Sequence, residues 1–299
     1  MRARSFVRGG ATLERDFTVA TFRLPPFAAP DAASFGRALV QAAEATAQRA
    51  PADLYLFPGL LALGLVPELD LGDQQSLADA SLKDAYLAAG SYAARTLGAV
   101  VVPGSVYLVA QQGRLQQYAA VFDRQGNLVG EQLQTHRDQL VQAVSDEISP
   151  IAVDVGVKVG LLLGRDAWYP EASRILALQG ADILLAPLAP PGPYPAEEAL
   201  WGLWQEVQQN QVFGVEAGLY GVMGERVYAG RAAIIAPCEM TEEDSGFLPR
   251  PGYFVGTGAQ VATLSVDALQ KVRREYPLLR HLNPGLYRKY LPLVYRRLP

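Results

Sequence analysis

The turn Gly164-Arg165-Asp166 follows a buried apolar run and offers a guanidinium and a carboxylate side by side. A guanidinium binds anions through paired donors, and a carboxylate either activates water or accepts hydrogen bonds from turn amides. Arg165 is therefore read as able to enter a pocket and bind an anion. Asp166 has two readings, a structural acceptor of turn amides or salt-bridge partner, and a carboxylate acting on water. Gln134 both donates and accepts, and His136 adds a further polar contact. Ser105, Ser173 and Thr135 are the hydroxyls to weigh as nucleophiles, although none has a histidine–acid pattern near it in sequence. Glu68, in Pro67-Glu68-Leu69, is a candidate base. Cys238 is the only thiol, and a lone cysteine in an apolar stretch reads as a small hydrophobe. Lys158 opens a strand and is expected to face solvent or an acid, remote from chemistry.

Composition narrows the classes. The 299 residues suffice for one large α/β domain or two ordinary ones. Half of the residues are hydrophobic and 19 % are charged, a globular balance. The formal net charge of −4 gives no electrostatic case for nucleic acid as a partner. One cysteine excludes an internal disulfide or a cysteine metal cluster, and His136 and His281 lie far apart, so no cofactor or metal is expected. The arginine-rich start lacks an apolar core, and no run reaches the roughly 18 apolar residues of a spanning helix. The expectation is a soluble cytoplasmic protein with no membrane partner.

The elements that must position these groups read as alternating strands and helices. Val157 to Leu163 is a nearly unbroken apolar run, as in a strand buried on both faces. Pro170 and Glu171 suit a helix start, Gly180 suits its stop, and Ile183 to Leu188 is the next buried strand. Further strands are expected at Phe17–Phe22, Leu54–Phe57 and Ala99–Val102, and in a hairpin of Leu115–Phe122 with Leu128–Leu133. Helices are expected from Asp31 to Arg49, Gln75 to Leu97, Ala196 to Phe213 and Asp267 to Tyr276. Glu242 to Pro251 reads as a surface loop. The proposed division is an arm over 1–16, one α/β domain over 17–266, and a C-terminal helix and tail over 267–299. The tail mixes arginine and tyrosine; its expected role is packing on a partner subunit rather than binding nucleic acid.

The central unit resembles the nitrilase, or carbon–nitrogen hydrolase, superfamily. Gly156, Gly160, Asp166, Tyr169, Pro170, Glu171, Gly180, Ala181, Asp182 and Pro187 fall in register with that family's pattern. The resemblance implies a four-layer α-β-β-α sandwich and pairing through helices into a homodimer. It also implies hydrolysis of carbon–nitrogen bonds by a glutamate base, a lysine that stabilises the tetrahedral intermediate, and a cysteine nucleophile. Around each of these positions the family motif is kept, but Gly59 stands for the glutamate, Gln134 for the lysine and Gly164 for the cysteine. The expectation is a nitrilase-fold protein without the family's covalent catalysis, serving binding, regulation or assembly and accepting a small, perhaps anionic molecule. Two alternatives stand beside it. One is an amidase-like hydrolase with a relocated set drawn from Glu68, a serine, Cys238 or Asp166. The other is a small-anion sensor centred on Arg165. The two glycines either enlarge the cavity or leave it collapsed under leucine and tyrosine side chains.

Overall fold

The apolar run before the Gly164 turn forms the strand Val157–Leu161, and its buried valines and leucines pack inside a curled sheet. The structure is a computed structural model and describes residues 16–47, 51–66, 80–193, 202–249 and 252–297. In chain order the elements are β1 (Asp16–Leu24), α1 (Ala32–Ala47), β2 (Leu54–Leu56), α2 (Ala80–Leu97), β3 (Val100–Val102), β4 (Val106–Val109), β5 (Leu115–Phe122) and β6 (Leu128–Leu133). There follow β7 (Ile151–Val153), β8 (Val157–Leu161), α3 (Pro170–Leu178), β9 (Ile183–Leu188), α4 (Leu203–Asn210), β10 (Phe213–Met223), β11 (Arg226–Ala229), β12 (Ala233–Ile235), β13 (Phe247–Leu248), β14 (Gly258–Ser265), α5 (Val266–Glu275) and α6 (Pro284–Tyr295).

Six strands, in the order β3-β2-β1-β10-β9-β8, pair in parallel. Antiparallel strands extend both ends, with β5 and β4 beyond β3 and β7 beyond β8. The curl begins where β1 changes partner. Val19 to Thr21 pair with β2, whereas Arg23 and Leu24 pair with β10. The two halves of the sheet therefore diverge and face each other. Val19, Leu54, Leu56, Val100 and Val102 from one half meet Val159, Leu161, Leu185 and Val215 from the other in a shared core. Alternating side chains point outward, where α1 and α2 cover one half and α3 and α4 the other. The order of layers is α-β-β-α, as the resemblance implied.

Local chemistry explains the helix starts. The Asp31 carboxylate accepts the Ser34 N–H at 2.7 Å and opens α1. Pro170 and Glu171 occupy the first turn of α3. The start of α5 differs from expectation: Ser265 is its cap, and Asp267 lies inside its first turn. The helix expected over Ala196–Phe213 is, among described residues, only α4. Gln211 adopts a left-handed conformation (φ 51°) that ends it, and Phe213 already belongs to β10. The supposed surface loop contains β13, paired with β12. The C-terminal tail contains α6, whose Asn283 side chain accepts the Leu286 N–H at 3.0 Å. Asp16, assigned to the arm, is the first residue of β1, and the rest of that arm lies outside the described residues. No helix among the described residues is long and apolar enough to cross a membrane.

Candidate functional site

A cavity of about 280 Å³ opens at the carboxyl ends of the central strands. This is the edge of an α/β sheet at which ligands are usually held. Leu60 follows β2, Tyr107 lies on β4 and Gln117 on β5, and Asp138 and Leu140 come from the segment after β6. Gly164, Arg165 and Trp168 follow β8, the Leu188–Pro193 segment forms another wall, and Arg226 and Tyr228 come from β11. The cavity is open, so of the two expectations for its state the collapsed one does not hold.

Position 59 is pressed against β9. Its N–H donates to the Leu188 carbonyl at 3.2 Å. A Cβ placed there would lie 2.6 Å from the Pro187 carbonyl oxygen and 2.9 Å from the Leu188 carbonyl carbon. Both obstacles are backbone, so any side chain at this position requires the end of β9 to move. The next residue, Leu60, is left-handed (φ 58°) and donates its N–H to Ser105 Oγ at 2.9 Å. Ser105 also accepts from Gln117 Nε2 at 2.6 Å. This buried hydroxyl is thus an acceptor that ties the residue after the Pro58-Gly59 turn to β5, with no imidazole bonded to it among the described residues.

Positions 134 and 164 share one space. Gly164 has φ +54°, and a Cβ built on it would lie 2.8 Å from Gln134 Cδ and 3.0 Å from Gln117 Oε1, with Gln134 Oε1 closer still. The Gln134 side chain is fully buried. Its amide nitrogen donates to the His136 carbonyl at 2.6 Å and to Asp138 Oδ2 at 3.0 Å. Both donors are committed, which turns Oε1 toward Gly164, where it has no hydrogen-bond partner among the described residues. Asp138 is itself fixed, because its Oδ1 accepts the Leu140 and Val141 N–H groups at 2.8 Å each.

Asp166 does not face the cavity. Its fully buried carboxylate accepts the N–H groups of Leu163 (3.2 Å), Thr135 (3.1 Å) and His136 (2.9 Å), and it contacts His136 Nδ1 at 3.1 Å. Of its two sequence readings, the structural acceptor is the one seen. The side chain clamps the turn after β8 to the segment after β6. Folding also places an imidazole and a carboxylate beside Thr135, a grouping the linear sequence did not suggest. It cannot relay a proton in the manner of a triad. Thr135 Oγ1 (3.0 Å) and Asp166 both use the same ring nitrogen, Nδ1, whereas a relay needs one partner at each nitrogen. The His136 ring stacks on Tyr169 with centroids 3.8 Å apart and planes within 2°.

The remaining candidates separate from the cavity. Cys238 donates its N–H to Gln208 Oε1 on α4, and burial, then Glu239 and Asp244, push its thiol pKa up and disfavour the thiolate. Lys158 is exposed, with its backbone paired to Asp182. Glu68 lies outside the described residues. No cluster of three or more metal-ligating side chains occurs among the described residues.

Arg165 and Arg226 line the cavity together with one carboxylate, Asp138. Burial pushes the hydroxyl pKa of both Tyr107 and Tyr228 above the ordinary value, which keeps them neutral donors. The Tyr228 hydroxyl has no hydrogen-bond partner among the described residues. Gln117, Asp138, Tyr107, Arg226 and Tyr228 were not singled out from the sequence. They reach the site from separate strands and loops, and no spacing links them. The run Pro190-Pro191-Gly192-Pro193, likewise not singled out, lines the cavity as well.

A model of the carbon–nitrogen hydrolase family matches residues 18–238. The chain belongs to the carbon–nitrogen hydrolase family. It is 31 % identical over 143 residues to a citrullinase of Francisella tularensis, covering 44 % of this chain and 49 % of that protein. It is 28 % identical over 148 residues to an N-carbamoylputrescine amidase of Arabidopsis thaliana, covering 46 % and 48 %. These matches span about half the length of the curated relatives. The fold matches a carbon–nitrogen hydrolase from Helicobacter pylori G27 with a TM-score of 0.74 at 19 % identity, over 93 % of this chain and 99 % of the other. It also matches Nit3 of Saccharomyces cerevisiae, a member of branch 10 of the nitrilase superfamily, with a TM-score of 0.73 at 15 % identity, over 92 % and 100 %. The turn after β8 carries no thiol, and Gln134 and Gly164 meet side by side.

Proposed function

We propose that this carbon–nitrogen hydrolase family member is a binding protein whose cavity holds a small anionic molecule without covalent catalysis. The observation that carries the reading is the mutual fit of Gln134 and Gly164. The Gln134 amide occupies the space in which a side chain at 164 would begin, and a neutral amide held by two acceptors cannot act as a cation. Position 59 supports it independently, since backbone of β9 fills the place of a side chain there. Covalent attack on an amide or nitrile needs a thiolate, a base and a stabilised oxyanion together, and loss of the nucleophile alone removes most of the rate. Arg165 and Arg226 supply the charge that selects an anion.

The alternative is an amidase-like hydrolase with a relocated catalytic set. Its support is that relatives are named as amidases. The test is ammonia release from a panel of amides, nitriles and carbamoyl compounds, with intact mass recorded on the same samples. Folded protein is expected to release no ammonia and to form no adduct. Turnover that survives purification would overturn the binding reading and move attention to Glu68 and Cys238.

A further inference from the structure

Two buried polar atoms at the cavity lack partners, and they are of opposite kind. The first is an acceptor. The fully buried Gln134 has its amide nitrogen held by the His136 carbonyl at 2.6 Å and by Asp138 Oδ2 at 3.0 Å. This fixes the amide, and Oε1 is left without a hydrogen bond among the described residues. A second acceptor turns to the same place. Gln117 Oε1 lies 3.0 Å from where a Cβ on Gly164 would stand, and Gln134 Oε1 is closer still. Gly164 and Gln117 both line the cavity. The other unpartnered atom is a donor, the hydroxyl of Tyr228, a residue only 5 % exposed. Burial, then Tyr228 and Asp138, push the Tyr107 hydroxyl pKa up while Arg226 opposes them, so these four groups share one field. The charged side chains on the lining, among the described residues, are Arg165, Arg226 and Asp138.

We infer that the cavity takes an amino dicarboxylate, its ammonium on the Gln134 and Gln117 oxygens and its carboxylates on Arg165 and on Arg226 with Tyr228. The inference rests on the reading of the cavity as an anion site and specifies its ligand. Two acceptor oxygens converging where no side chain stands call for a donor from outside the chain, because a buried acceptor left unpaired is costly. A cation suits them better than a neutral amide. The Gln134 amide donates to the Asp138 carboxylate, which polarises its oxygen toward greater negative charge. An ammonium carries three N–H donors, enough for both oxygens. The Tyr228 hydroxyl, two residues along β11 from Arg226, calls instead for an acceptor. A carboxylate fills that role and takes paired bonds from a guanidinium. Two guanidiniums against one carboxylate leave the lining one positive charge, which a ligand of net charge −1 balances. A plain dicarboxylate leaves the two oxygens unpaired, and a monoamide leaves one arginine without its anion.

The test is titration calorimetry of the full chain with three matched sets of ligands. These are L-aspartate and L-glutamate, the plain dicarboxylates succinate and glutarate, and the monoamides asparagine and glutamine. At least one amino dicarboxylate is expected to bind about tenfold or more tightly than both of its counterparts. Gln134→Met should erase its advantage over the plain dicarboxylate by weakening the amino dicarboxylate alone. Tyr228→Phe should weaken both by about tenfold, since it acts on the carboxylate end. If Gln134→Met does not fold, the ligand comparison in the native chain decides. Plain dicarboxylates or monoamides that bind as tightly as the amino dicarboxylates would overturn the inference and leave the anion reading standing. So would a preference that folded Gln134→Met retains, affinities that Tyr228→Phe leaves unchanged, or binding of other anions only. No heat with any of these ligands, and no thermal shift with other carboxylates or inorganic phosphate, would instead remove the anion reading itself.

Discussion

The amide oxygen of Gln134 lies too close to the place of a first side-chain carbon on residue 164 for both to fit without a shift, so these two residues constrain each other. Gly164 is the residue that leaves room for Gln134, and its φ of +54° adds a backbone reason against any other residue. A cysteine introduced at 164 would therefore meet the Gln134 amide rather than open space.

Gly164→Ala is expected to destabilise the protein by about 1–3 kcal/mol, from crowding and left-handed strain together. Adding Gln134→Ala should recover part of that loss, since the crowded amide is gone while the strain remains. Urea unfolding of the two single variants and the double variant gives the coupling energy directly. Strict additivity would show that the two side chains do not share one space.

Asp166→Ala leaves three backbone N–H groups without their acceptor. The expected cost is about 3 kcal/mol or more, because buried donors lose a charged partner. Asp166→Asn should cost less, since one acceptor oxygen remains. Thermal melts read both effects, and equal stability of all three proteins would remove the clamp from the account.

Glu216 is buried on β10, where burial pushes its carboxyl pKa from 4.5 up to about 8, with Arg231 opposing the shift. A raised folded-state pKa means that the neutral form fits the fold better. Its contribution is complete below pH 4.5 and is lost as pH rises through 8. The loss amounts to up to about 1.4 kcal/mol per pH unit across that window. Glu216→Gln stays neutral, so its stability relative to the native protein should rise with pH and level off above the folded pKa. Melting curves from pH 4 to 9 test this, and a difference that does not change with pH would count against it.

Arg165→Ala and Arg226→Ala should each weaken anion binding in the cavity. Thermal shift with a panel of small mono- and dicarboxylates is the measurement. At least one is expected to raise the melting temperature of the native protein, and its apparent affinity is expected to fall about tenfold in either variant. Shifts that are identical in native and variant proteins would place the anion elsewhere.

Much of the sheet was legible because many of its strands are short apolar runs. The hairpin of β5 and β6 and the strand β9 lie at the expected boundaries. β7 was not anticipated, since a three-residue strand whose middle residue is exposed gives too short a pattern. The amphipathic run of α6 was hidden by its prolines, Pro284 and Pro292, although proline is well placed in a first helical turn. At the site, register alone singled out 59, 134 and 164 for attention. Register could not show that Gln134 fills the place beside Gly164, because that depends on Asp138 and the His136 carbonyl turning one amide. Nor could it bring Arg226 and Tyr228 to the cavity, since β11 approaches through a chain reversal with no sequence link to the turn after β8.

Asp166 gives the site a particular division of labour. The two segments that present residues 134 and 164 are held in relative position by the Asp166 carboxylate, which belongs to the same turn as Gly164 but faces away from the cavity. The outline of the cavity and the groups displayed inside it are thus fixed by different atoms. Side chains on the inner surface can be exchanged while the frame keeps its dimensions, as long as the anchor outside remains. For anyone rebuilding chemistry in this cavity, Asp166 is the residue to leave alone.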